Sequence, residues 1–85
     1  RTLDLTLRVI EHHLSDAEAL ASTEPVARRA ERLRELARGL RSLRDCYLAT
    51  RVPRLRAALL REAGDLIRRL RRFDAERPAS AEHDG

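Results

Sequence analysis

Apolar residues recur along this chain in steps of four and three. Leu3, Leu7, Ile10, Leu14, Ala17 and Ala21 advance by four, three, four, three and four. A 3.5-residue repeat holds apolar side chains on one helix face and marks a seam packed against another helix. It predicts a first helix from about Leu3 to Ala21, with Thr2 as its cap. Ser15-Asp16-Ala17-Glu18 has the form of a capping box, which would split this helix near Ser15. The repeat crosses that point without a phase shift, which favours one continuous helix.

A second repeat runs through Leu33, Leu36, Leu40, Leu43 and Tyr47. It predicts a helix from the stretch STEPV to about Ala49. Thr23 or Ser22 would cap it, with Glu24 and Pro25 in the first turn. Gly39 lies inside it, either as a weakness of roughly 1 kcal/mol against Ala or as the mark of a close helix–helix approach. Pro53 has no N–H to donate and would clash with the carbonyl four residues back. A turn at Thr50-Arg51-Val52-Pro53 is therefore expected, rather than one kinked helix.

The third helix should span residues 52–73. Its apolar face is Leu55, Leu59, Ala63, Leu66, Leu70 and Phe73, widened by Leu60 and Ile67. At 1.5 Å per residue the three helices would be about 29, 39 and 32 Å long, close enough to lie side by side. The expected fold is all-α, an antiparallel three-helix bundle with the architecture of a spectrin-type repeat. Residues 1–73 would form the bundle. Residues 74–85 lose the periodicity and are expected to be a disordered tail or linker.

Eighty-five residues make one domain. Its first residue is Arg rather than Met, so it is expected to be a piece of a larger protein. No apolar run nears the ~20 residues a bilayer span needs, and no signal-peptide pattern is visible. Cys46 is the only cysteine, which excludes an internal disulfide and a disulfide-stapled secreted domain. An intracellular setting, cytoplasmic or nuclear, is expected.

Charge sharpens the picture. All eighteen basic residues are Arg, and Lys, Asn, Gln, Met and Trp are absent, as a GC-rich coding sequence would produce. Residues 51–72 carry a net charge of +6, residues 1–50 of +1 and residues 73–85 of −3. On the third helix Arg54, Arg61, Arg68 and Arg72 form a stripe opposite the leucines, with Asp65 inside it. Such a stripe suits nucleic acid or an anionic lipid surface. The only large aromatics, Tyr47 and Phe73, sit on the seams, not on a stacking platform. A solvated outer face laced with helical-spacing pairs, such as Glu24 with Arg28, Glu35 with Arg38 and Arg41 with Asp45, accounts for most of the charge.

The stretch LLREAGDLIRRL, residues 59–70, resembles the basic receptor- and lipid-binding helix of apolipoprotein E. That likeness covers a dozen residues, and no role is carried over from it.

Candidate chemistry is sparse. His12 and His13 are adjacent, so on a helix they point about 100° apart and do not converge on one ion. Glu-x-x-His and His-x-x-x-His are absent. His12 is expected to pair with Asp16. Cys46, beside the second seam, is expected to be a buried inert thiol. Arg56 falls inside the apolar arc of the third helix, where it would snorkel or reach a partner carboxylate. No cofactor, metal or small-molecule substrate is expected. The chain is expected to be a non-enzymatic protein–protein interaction module. It would dock a partner helix, or a second copy, through Leu55, Leu59, Leu66 and Leu70. The alternative is binding of nucleic acid or anionic lipid by Arg54, Arg61, Arg68 and Arg72.

Overall fold

The structure, a computed structural model, describes residues 6–76. They form three α-helices: α1 (Leu7–Thr23), α2 (Ala27–Ala49) and α3 (Pro53–Ala75). There are no strands among the described residues. The helices are antiparallel neighbours, and each touches the other two, as in a three-helix bundle. α1 packs most closely on α2, and α1 and α3 touch least.

The seam of α1 fills the core as its repeat requires. Ile10, Leu14, Ala17 and Ala21 are all buried, and the helix runs unbroken through Ser15. The described helix opens with Thr6, whose side chain accepts from the Val9 N–H at 3.3 Å. The expected start at Leu3 and cap at Thr2 lie outside the described residues.

α1 also runs further than its repeat. The Ser22 hydroxyl donates to the Glu18 carbonyl, and Thr23 to those of Ala19 and Leu20. Both side chains therefore finish α1 instead of capping α2. Val26 occupies the N-cap of α2, and the Glu24 carboxylate accepts from its N–H at 3.1 Å. Pro25 is left in the turn, where its missing N–H costs nothing.

At the next connection Pro53 is the first residue of α3. Its fixed φ suits that position, so the chain turns here and no kinked helix forms. α3 ends at Ala75, two residues into the expected tail; residues 77–85 lie outside the described residues.

The core is purely apolar: no polar or charged residue among those described is buried. α2 contributes Leu33, Leu36, Ala37 and Leu40, and α3 contributes Ala63, Ile67 and Leu70. The buried stripe of α3 is thus centred on Ile67. Leu66 is displaced to the edge, over Gly39, where a Cβ added to the glycine would come within 2.9 Å of Leu66 Cδ1. Gly39 leaves room for the tip of the Leu66 side chain beside α2. The molecule measures 50 × 28 × 16 Å. Its radius of gyration of 14.4 Å exceeds the about 11–12 Å of a compact chain of this size. It is a thin slab, with α1 laid on one side of the α2–α3 pair.

Candidate interaction surface

The laying of α1 on one side leaves the opposite side of the α2–α3 pair uncovered. A groove runs there, made of two adjoining open cavities of about 470 and 420 Å³ that share Leu66 and Arg69. Every lining residue comes from α2, α3 or the α3 C-cap Glu76, and none from α1. Its floor is Leu36, Gly39 and Leu43 of α2 with Leu66 and Phe73 of α3. Leu43, Leu66 and Phe73 are only partly buried.

Along the α3 rim the charges have an order. Glu62 and Asp65 line one end, Arg69 and Arg72 the other, with Glu76 just past the end of α3 beyond them. Asp65 is held by Arg68. Glu62, Arg69 and Arg72 form no ion pair among the described residues.

The leucines and arginines expected to bind a partner are divided by the fold. Leu70 is 2% exposed and belongs to this chain's own core, so it offers nothing to a partner. Leu59 is half-buried, and Leu66 lies on the groove. Leu55 is 54% exposed. With Leu48 and Val52 it clusters in sequence around the α2–α3 turn, and these are three of the four exposed large hydrophobics among the described residues. Arg54, Arg61, Arg68 and Arg72 are all exposed, and only Arg72 lines the groove. The groove residues Glu62, Asp65 and Arg69 were not among those expected. For Glu62 and Arg69 the signal was present in the four-three stepping of 62, 66, 69, 73 and 76, a second stripe beside the core stripe.

Two further arginines are committed to the fold. Arg29 stacks its guanidinium on the Phe73 ring, 4.1 Å from the centroid, and donates to the Phe73 carbonyl at 3.3 Å. It also pairs with Glu24 at 3.4 Å. Arg56 lies over Tyr47 at 4.7 Å and donates from Nε to the Thr50 carbonyl at 2.8 Å. Among the described residues Arg56 thus meets a carbonyl and an aromatic ring and no carboxylate. Each aromatic closes one end of the α2–α3 hairpin.

Other expected pairs rearrange. Glu24 takes Arg29, not Arg28, and Glu35 faces Arg32 at 4.0 Å, not Arg38. Arg41 reaches across to Glu18 of α1, which leaves Asp45 to Arg44. Cys46 is exposed, not buried: it stands about 100° around the helix from the Tyr47 seam position.

His12 forms no ion pair with Asp16; its ring meets His13 edge-on, with centroids 5.2 Å apart. The buried Nδ1 of His13 has no hydrogen-bond partner among the described residues. Burial, then the charges of His12 and Arg71, push this imidazole below its ordinary value of 6.5, with Asp16 opposing. No group of three or more His, Cys, Asp or Glu among the described residues is placed to hold a metal ion. No described helix is long and apolar enough to cross a membrane.

No family model matches the chain, and no curated protein or solved structure matches it.

Proposed function

We propose that this chain is a non-enzymatic, intracellular module for protein–protein interaction that receives a helix in the α2–α3 groove. The observation that carries this reading is the half-covered core: Leu43, Leu66 and Phe73 are packed on one side and open on the other. A fourth helix laid along the groove would bury them, as α1 buries the other side. The groove is lined over Arg32 to Leu43 of α2, about 16 Å or three helical turns. That length suits recognition of an amphipathic helix by its apolar anchors.

The test is a display library of amphipathic helical peptides panned against the immobilised chain. Binders are then titrated at low and high salt. Binding should survive high salt and be lost on Leu66→Asp or Leu43→Asp. It should persist in the Arg61→Glu/Arg68→Glu double variant, whose substitutions lie off the groove. Helix content by circular dichroism confirms that each variant is folded. The reading fails if no helical peptide binds. If duplex DNA or anionic vesicles bind instead, with a steep loss of affinity as salt rises, the arginine stripe takes its place.

A further inference from the structure

We infer that the occupant of the groove is a second copy of this chain, packed face to face with the two α3 helices antiparallel. This rests on the docking reading above and names its partner. The order of charges on the groove side of α3 points to this partner. In an antiparallel pair related by a two-fold axis, residues whose numbers have a constant sum lie opposite each other, and each contact occurs twice. With the axis crossing α3 at the level of Ile67, Glu62 lies opposite Arg72 of the other copy. Asp65 lies opposite Arg69 by the same rule. From Glu62 to Arg72, two acids followed by two arginines, symmetric about one residue, make this stretch complementary to itself; Glu76 lies beyond it.

Three of these four groups are among those without an ion pair in the described residues. Glu62, Arg69 and Arg72 have none among the described residues, and Asp65 has only the exposed Arg68. Between the charged ends lies Leu66, close to the axis, where it would meet its own copy. Gly39 lies beside it, so no α2 side chain stands between the two layers at that point. The groove lining as a whole carries three arginines and four acids. So balanced a surface repels a polyanion no less than it attracts one, and it favours a partner of equally mixed charge. The flat 16 Å slab becomes two layers of helices around a shared core.

The experiment is sedimentation equilibrium of the full chain and two charge-reversed variants, alone and mixed. Glu62→Arg/Asp65→Arg makes all four charged rim positions from 62 to 72 positive, and Arg69→Glu/Arg72→Glu makes all four negative. All four positions are exposed, so the helices should persist, and circular dichroism checks this. The wild type should sediment at twice the 9.7 kDa chain mass. Each variant alone should dimerise at least about tenfold more weakly, because like charges then face each other. An equimolar mixture should restore the dimer as a heterodimer. A wild type that stays monomeric overturns the inference. The docking reading survives that result if helical peptides still bind through Leu66. A wild-type dimer that both variants retain also overturns it, because the copies then meet on another face.

Discussion

The arginines of this chain differ in what surrounds them, and Arg29 is the most deeply engaged. Its side chain is 16% exposed and its Glu24 partner 13%. It combines a stack on Phe73, a hydrogen bond to the Phe73 carbonyl and the Glu24 pair, and so ties the α1–α2 turn to the last turns of α3. Arg29→Ala should cost about 1–2 kcal/mol, from one partly desolvated cation–π contact and one hydrogen bond. On a domain this small, that lowers Tm by roughly 5–10 °C. Arg29→Lys should recover little, since an ammonium neither stacks flat nor reaches both acceptors. An equal Tm for Lys and Arg would show that charge alone matters there.

Gly39 gives a prediction of the opposite sign. Alanine would gain up to about 1 kcal/mol of helix propensity. The atom in its way is Leu66 Cδ1, the tip of a partly exposed side chain that can swing into the groove. Gly39→Ala should therefore raise the urea midpoint of the monomeric chain while pushing Leu66 outward. A lowered midpoint would mean that Leu66 is pinned.

Between elements, the α1–α3 contact is the slightest, and His13 stands in it. The folded chain holds its imidazole below the unfolded value of 6.5. The unfolded state therefore binds more protons as pH falls through that region, and stability falls with it. Protonation puts an N–H into a buried site without an acceptor, facing Arg71. Wild type should lose stability between pH 7.5 and 5 relative to His13→Asn, read as urea midpoints. A gap that is constant or widens on acidification would remove His13 from the account.

At this scale the chain was partly legible from its sequence. The α1 seam was plain because Ile10, Leu14, Ala17 and Ala21 are its dominant apolar stripe. On α3 two stripes overlap, one through Ala63, Ile67 and Leu70, the other through Leu59, Leu66 and Phe73. Periodicity alone does not choose between them; the position of α1 does, and that is a tertiary fact. The ion pairs were obscured for a related reason. Glu18 draws Arg41 across a helix interface that no spacing rule within one helix contains. Ser22 and Thr23 misled because a hydroxyl at a helix boundary serves either end, by capping the next helix or bonding back to the last turn.

The whole molecule combines a basic hairpin with an acidic cover. α2 and α3 each carry a net charge of +4, and α1 carries −2. One face of the hairpin is buried by α1, whose Glu18 pairs with Arg41. The other keeps a half-open core, and a core this small leaves the monomer with a narrow stability margin. If a second copy closes that face, folding and association are one equilibrium, and stability depends on chain concentration. Once the dimer is saturated, a hundredfold rise in concentration adds about 2.7 kcal/mol per dimer. Tm should then climb by roughly 5–10 °C between about 5 and about 500 μM wild-type chain. The charge-reversed variants should each show a weaker dependence of Tm on concentration, and their mixture should regain the wild-type dependence. The reversals sit on exposed positions and leave the Ile67-centred core untouched, so any loss of concentration dependence reports on association and not on the fold of the monomer.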